Sequence, residues 1–299
     1  MTEAGGRILY VVGHDDTEPA ISWQVAQFAK GWRAPVVLLG VRRPRWLPFL
    51  ERDVRRELKR ATVDVARRMR DLRAHVAGIK VAVGDPAAEA RRLAGQVGAS
   101  LIMVSAGAEA MDDPRAMSAA ALAIARTASQ DVWICKPFAD PHLDHVLCAA
   151  DTSPLAGEAV RRAAAICRRF NAKLRVVSVL GEPAAPRRGT DDDPDEAMLE
   201  GRRRQKRFLD QFDLGGIALS RAIVWAAQAP VELLLEAEHY TDGLLVMGAA
   251  SQVRGRVGLG ATAGPVLRAC PSSVLIVRGA ARAAAAGTAV AVTEEADGG

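Results

Sequence analysis

The residues of this sequence that could bind a ligand lie in one glycine-rich segment and at one acidic position. Residues 248–262 read GAASQVRGRVGLGAT, and a helix is predicted to follow them. Glycines allow backbone N–H groups to approach an anion closely, and a helix N-terminus adds partial positive charge. Asp151, which follows a predicted strand, can accept hydrogen bonds from a sugar or a base. The combination outlines a nucleotide pocket, although a flexible glycine-rich connection has the same composition.

The motifs of the common catalytic sites are missing from the sequence. It contains no GxxxxGK followed by Ser or Thr, no GxSxG, no HExxH, and no GxGxxG behind the first predicted strand. His142 and His145 stand three residues apart, a spacing that can ligate a metal, but surface or packing roles are the ordinary ones. His14, beside Asp15, has no nucleophile near it in the sequence. We therefore predict a non-catalytic protein without a metal site, with weak ATPase activity as an open alternative.

Composition places the chain among globular proteins. Its 299 residues, 49% hydrophobic and 25% charged, suit two ordinary domains or one large one. The net charge of +5 is spread over the chain and aromatic residues make up 4%, so we predict no specific nucleic-acid partner. Four cysteines without a CxxC pair indicate reduced thiols. Because no segment approaches the ~18 apolar residues of a spanning helix, we expect a soluble, cytoplasmic protein without membrane insertion.

One order of elements occurs twice along the chain. An apolar run at 8–12 precedes an acidic turn at 15–18, and a run at 145–150 precedes a similar turn at 151–153. Asp, Ser and Thr at such turns are typical helix N-caps. The periodicity predicts that the two helices bury, respectively, Ile21, Val25, Phe28 and Ala29, and Ala156, Val160, Ala163 and Cys167.

The correspondence continues to the end of each half. Pro-opened helices begin near 84 and near 228, the second with Val231, Leu234 and Leu235 on its predicted buried face. Between equivalent positions the offset grows from 136 residues (15 to 151) to 144 (84 to 228), so the second half has gained residues. Short apolar runs indicate strands buried on both faces, at 101–104, 132–136, 244–247 and 274–278.

The added residues of the second half lie in a stretch rich in Pro, Gly and Asp at 181–196, which we interpret as a loop. The basic run 202–207 follows it. A solvated helix face explains such a run, and a surface for an anionic partner is the alternative. We predict domains at 1–140 and 141–280, and a disordered tail at 281–299.

Strands that alternate with helices predict an α/β fold in each half, a five-stranded parallel sheet with helices on both faces. In open sheets of this kind, ligands bind beyond the carboxyl ends of the strands, where the strand order reverses. The residues that follow the first and fourth strands are therefore the candidates for a site.

The chain resembles the universal stress protein family, in particular its tandem members of the bacterial E type. The resemblance rests on the order of elements, on the acidic turns, and on LVMG at 245–248, LGATA at 259–263 and VLRACPSSVLIV at 266–277. WICK at 133–136 resembles the end of the first domain in the E type. The resemblance covers 6–136 and 143–278, and it implies two Rossmann-like domains of the adenine nucleotide alpha hydrolase-like fold.

Nucleotide-binding members of that family carry a motif of Gly, two residues, Gly, nine residues, Gly, then Ser or Thr. Gly248 matches the first position and Gly260 the third, in a loop one residue shorter. Ser251 and Ala261 replace the other two residues, and Thr262 stands one residue further on. Each missing neutral hydrogen bond costs about 1 kcal/mol, so the resemblance implies weakened binding of ATP or a related adenine nucleotide. It places Asp151 at the ribose or adenine, Val179 and Met247 at the base, and Gly248, Ser251, Gly260, Ala261 and Thr262 around the phosphates.

The first half departs further from that motif. Ser105 stands at the first Gly position, and residues 106–115 include Glu109, Asp112 and Asp113, whose charges would oppose a triphosphate. We predict that this half is a structural partner and that the halves pack through their last strands as an intramolecular pseudo-dimer, with a homodimer as a further possibility. The favoured function is a non-catalytic stress protein whose bound nucleotide alters contacts with an unidentified protein partner. The alternative is an interaction or scaffold module that has lost nucleotide binding.

Overall fold

A computed structural model describes residues 6–13, 15, 18–43, 51–137, 143–181, 194–241, 243–249, 251–253 and 256–279. The predicted domain boundary near residue 140, most of the predicted loop at 181–196, the tail at 281–299, and His14 and His142 lie outside these ranges.

The two halves contain the same alternation of strands and helices. The first half has β1 (Arg7–Val12), α1 (Glu18–Trp32), β2 (Val36–Arg42), α2 (Glu51–Asp71), β3 (Val76–Val83), α3 (Pro86–Gln96), β4 (Ala99–Ser105), α4 (Ala119–Thr127) and β5 (Asp131–Cys135). The second half has β6 (His145–Ala149), α5 (Pro154–Phe170), β7 (Lys173–Leu180), α6 (Pro194–Leu209), β8 (Leu219–Trp225), α7 (Ala229–Glu238), β9 (Leu244–Gly248), β10 (Ser251–Val253), β11 (Arg256–Gly258), α8 (Ala263–Ala269) and β12 (Ser273–Val277).

A single ten-stranded sheet runs through both halves in the order β3-β2-β1-β4-β5-β12-β9-β6-β7-β8. Within each half, every pair of strands in this sheet is parallel, whereas β5 and β12 pair antiparallel, with Leu275 opposite Trp133 at the centre. The predicted pair of five-stranded parallel sheets and the predicted pseudo-dimer through the last strands are therefore confirmed.

Two apolar cores lie on opposite faces of this sheet, and each contains residues of both halves. The core beneath α1 and α5 includes the predicted faces of those helices. The other core lies beneath α3, α4, α7 and α8. Strands β4, β5 and β12 are buried at every residue, as their uninterrupted apolar sequences predict.

Two local predictions are wrong. On α7 the buried residues are Leu233 and Ala237, whereas Val231 and Leu235 are about half exposed. The helix is apolar on several sides, so its periodicity does not single out one face. The stretch interpreted as a loop up to 196 already belongs to α6 from Pro194 onward. The structure also shows an antiparallel hairpin, β10–β11, in the glycine-rich segment, where no strand is predicted.

None of the helices in the described ranges combines the length and the apolar composition that crossing a bilayer requires.

Candidate functional site

A cavity of about 450 Å³ opens at the carboxyl ends of β6 and β9. Strand β6 lies between β9 and β7, so the strand order of the second half reverses at this point, where open α/β sheets bind ligands. The described residues that line the cavity are Ala149, Ala150, Asp151, Ser153, Leu155, Ala156, Val177, Val179, Ala229, Leu233, Met247, Gly248, Ala249, Gly260, Ala261, Thr262 and Ala263.

The polar end of the cavity is the turn between β6 and α5. The Oδ1 atom of Asp151 accepts a hydrogen bond from the backbone N–H of Ser153 at 3.1 Å, and Thr152 between them adopts a left-handed φ of 64°. Ser153 in turn caps α5, because its Oγ accepts from the N–H of Ala156 at 3.2 Å. The turn thus fixes an exposed carboxylate at the rim of the cavity.

Hydrogen bonds from the neighbouring strand hold the end of β6 in place. The N–H of Ala150 donates to the carbonyl of Val177 at 2.9 Å, and the hydroxyl of Ser178 donates to the carbonyl of Ala150 at 2.6 Å. Gln205 of α6 donates to the Ser178 oxygen at 2.9 Å. The position of Asp151 is therefore set by a buried chain of polar groups that reaches into α6.

The floor of the cavity is apolar. Val177, Leu233 and Met247 are at most 3% exposed, and Val179 is partly exposed at the end of β7. Such a floor suits a flat, weakly polar group such as a purine base. Val179 and Met247, which the family resemblance places at the base, both line this cavity.

The glycine at 248 is required by close packing. A Cβ atom added there would lie 2.6 Å from Cγ of Leu155 and 3.4 Å from the Leu155 carbonyl oxygen. The first glycine of the motif is thus explained by contact with α5, whether or not a phosphate binds beside it.

The far side of the cavity is the turn that leads into α8. Gly260, Ala261 and Thr262 line it, and the carbonyl groups of Gly260 and Thr262 accept the first bonds of the helix, from Gly264 and Val266. The Thr262 side chain is partly exposed and makes no capping bond to the helix. Its hydroxyl therefore remains available to a ligand, one residue beyond the motif position that Ala261 occupies.

The structure brings together Asp151, Val179, Met247, Gly248, Gly260, Ala261 and Thr262 around one cavity. Ser251 is described by its backbone alone, as the first residue of β10 paired with Gly258. The sequence does not single out Leu155, Leu233 or Arg278. Arg278 donates to the carbonyl groups of Ala249 and Gly258 at 2.7 Å each and so holds both ends of the hairpin segment.

The equivalent loop of the first half is closed by its own packing. Its short 3-10 helix, Ala108–Met111, buries Ala110 completely in the core. The Ser105 hydroxyl oxygen accepts from the N–H of Gly107 at 3.0 Å, and a Cβ atom on Gly107 would lie 2.8 Å from Cβ of Ser118. Glu109, whose charge we expect to oppose a triphosphate, is exposed.

The model of the universal stress protein family matches this chain twice, over residues 6–136 and 142–278. The chain belongs to the universal stress protein family. The two matches coincide with the two halves of the sheet and confirm the tandem arrangement that the sequence predicts.

Solved structures of similar length share this fold. A protein of unknown function from Pseudomonas aeruginosa PAO1 superposes with a TM-score of 0.73 at 17% identity, over 96% of this chain and 98% of that one. A universal stress protein from Archaeoglobus fulgidus gives 0.69 at 17% identity, over 91% of this chain and 98% of that one. At these identities the likeness concerns the fold alone.

A shorter universal stress protein, solved in complex with cAMP, is 27% identical over 46% of this chain and 97% of its own, with a TM-score of 0.34. No curated protein sequence matches this chain significantly.

Proposed function

We propose that this universal stress protein binds an adenine nucleotide in its second half without catalysing a reaction, and that the bound nucleotide alters contacts with a protein partner. The observation that supports the proposal is the cavity at the β6–β9 switch point, with a carboxylate at one end and an apolar floor. Such a pairing of an apolar slot with a few fixed polar groups is typical of small-molecule sites.

Each part of the cavity suits one part of an adenine nucleotide. The adenine ring would lie on Val177, Val179 and Met247, and the Asp151 carboxylate would accept hydrogen bonds from the ribose hydroxyls. The phosphates would meet backbone N–H groups near Gly260 and the Thr262 hydroxyl. Among the described lining residues Asp151 is the only ionisable one. Recognition would therefore rest on the nucleoside more than on phosphate charge.

The decisive experiment is calorimetric titration of the full chain with ATP, AMP, cAMP and adenosine. Asp151→Ala should weaken binding about tenfold or more, because hydrogen bonds to a charged group contribute about 1.5–3 kcal/mol each. Asp144→Ala is the matched control, since Asp144 is an exposed carboxylate before the opposite end of β6 and should leave the affinity unchanged.

A second candidate function is supported by Ala261, which offers no hydroxyl at the motif position. Without that hydroxyl, the protein would be an interaction module that has lost nucleotide binding, and the basic run at 202–207 would be its contact surface. Titration at up to about 1 mM still detects a binding free energy of about 4 kcal/mol. If no adenine compound gives a heat of binding under these conditions, the second function is favoured.

A further inference from the structure

A basic residue follows the last strand of each half at equivalent positions. Lys136 comes directly after β5 and Arg278 directly after β12, and both are almost fully buried. The backbone N–H of each residue crosses to the other half. That of Lys136 donates to Oγ of Ser273 at 3.0 Å, and that of Arg278 donates to Oδ1 of Asp131 at 2.9 Å.

The side chain of each residue turns back to the loop that follows the fourth strand of its own half. The Lys136 ammonium donates to the carbonyl groups of Pro114 and Ala116 at 2.6 Å each. One guanidinium nitrogen of Arg278 donates to the carbonyl groups of Ala249 and Gly258 at 2.7 Å each. Lys136 and Arg278 thus have the same structural role. Each is a buried cation that connects the loop after the fourth strand of its own half to the junction between the halves.

Arg278 makes one side-chain hydrogen bond that the ammonium of Lys136 does not match among the described residues. Its second terminal nitrogen donates to the carbonyl group of Ala125, in helix α4 of the first half. Helix α4 also packs against β11 of the hairpin. The planar guanidinium presents several donors in fixed directions, so it can bind two elements at once, whereas an ammonium is a compact point charge.

The charge of Arg278 is balanced across the junction. Asp131, which begins β5 and is 2% exposed, accepts from the backbone of Arg278 and from Nε of Arg162 at 3.0 Å. Burial lowers the pKa of Arg278 to about 10, so the side chain stays charged at neutral pH. The two terminal nitrogens of the guanidinium are held by carbonyl groups of both halves.

We propose that Arg278 is a positioning residue that couples the second-half cavity to helix α4 of the first half. Ala249, one of its acceptors, lines the cavity, and Gly258 ends the hairpin that leads to Gly260. A ligand that orders this loop would therefore also order α4, and the first half would respond to the ligand without binding one. This coupling rests on the proposed function, whereas the fixing of the loop by Arg278 does not.

The test is hydrogen–deuterium exchange of the full chain with and without ATP, combined with calorimetry. Arg278→Met should speed exchange in the hairpin at 251–258 about tenfold and weaken ATP binding about tenfold, since it removes charged hydrogen bonds. In wild type, ATP should slow exchange in α4, and this effect should disappear in Arg278→Met. Lys136→Met is the matched control, and it should loosen only the first-half loop at 106–117 while leaving ATP affinity unchanged.

Three outcomes distinguish the positioning role of Arg278, its coupling of the two halves, and the proposed function. If folded Arg278→Met shows wild-type exchange in the hairpin and in α4, the positioning role is wrong. If wild type binds no adenine compound but the variant still loosens the hairpin, the proposed function fails and the fixing of the loop stands. If Arg278→Met does not fold, Arg278→Lys decides. It should keep the hairpin bonds and lose the ATP-induced protection of α4, and unchanged protection would overturn the coupling.

Discussion

At the scale of single residues, Glu18 is a buried carboxyl group whose ionisation affects the stability of the protein. It lies in the first turn of α1, is 6% exposed, and accepts a hydrogen bond from the hydroxyl of Tyr10 at 2.7 Å. Burial raises the pKa of Glu18 from 4.5 to about 8, and the bond from Tyr10 and the charge of Arg68 offset only part of that effect. Near neutral pH this side chain is therefore mostly protonated in the folded protein.

This shift predicts a pH-dependent free energy of unfolding. Between pH 4.5 and about 8 the folded state retains a proton that the unfolded chain has released, so stability falls as the pH rises through that window. Glu18→Gln keeps an acceptor for Tyr10 and removes the ionisation. The variant should therefore match wild type below pH 4.5 and exceed it above about pH 8, by a few kcal/mol, in urea denaturation.

The control for this measurement is Glu57→Gln. Glu57 is an exposed carboxylate that lines the same surface cavity as Glu18. Its stability curve should keep the wild-type slope. Curves for Glu18→Gln and wild type that run parallel across the whole pH window would contradict the buried, protonated state of Glu18.

At the scale of elements, the sequence predicts what depends on local pattern and misses what depends on packing between distant segments. The apolar run at 244–247 indicates a strand buried on both faces, and the structure confirms it. The exposure of Val231 and Leu235 on α7 could not be predicted, because Leu233, Leu234 and Leu235 are equally apolar and the position of β7 selects the first of them. The role of Arg278 depends on a hairpin and on a helix of the other half, so no local pattern reveals it.

The basic run at 202–207 lies on helix α6 and contains both exposed residues and one buried residue that holds the helix to the sheet. Arg202, Arg203 and Arg204 are exposed, whereas Gln205 is 4% exposed and donates to Ser178 Oγ and to the carbonyl of Ala222 at 2.9 and 3.0 Å. Replacing Gln205 by Leu should cost about 1–3 kcal/mol, because it leaves buried acceptors without their donor. Replacing Arg203 by Gln should change stability by less than about 0.5 kcal/mol.

Urea midpoints of the two variants, compared at equal slope, provide the measurement. If Arg203→Gln proved as costly as Gln205→Leu, the basic run would be part of the packing of α6 rather than a solvated face. The interpretation of the run at 202–207 would then have to change.

At the scale of the whole molecule, the two halves share one sheet and both cores. Besides the β5–β12 ladder, helices α1 and α5 meet across the junction, where Phe28 of the first half lies 6.1 Å from Phe170 of the second, measured between ring centroids. Trp133 of β5 packs edge-on against Phe28 at 4.7 Å. Since neither core belongs to one half alone, we expect the chain to unfold as a single cooperative unit.

Asp131 tests this expectation, because it is a first-half residue whose charge is satisfied by the second half. Replacing it by Asn keeps the shape of the side chain but removes the buried carboxylate charge that pairs with Arg162 and lies near the cation of Arg278. Breaking a buried pair in this way costs about 3–5 kcal/mol. Because the ladder and the aromatic contacts remain, the transition should stay single, with a lower midpoint and an unchanged slope, when followed by tryptophan fluorescence and circular dichroism together.

Two separated transitions in wild type would show that the halves are independent units. Two transitions in Asp131→Asn alone would show that this ion pair, rather than the shared cores, makes the molecule unfold as one.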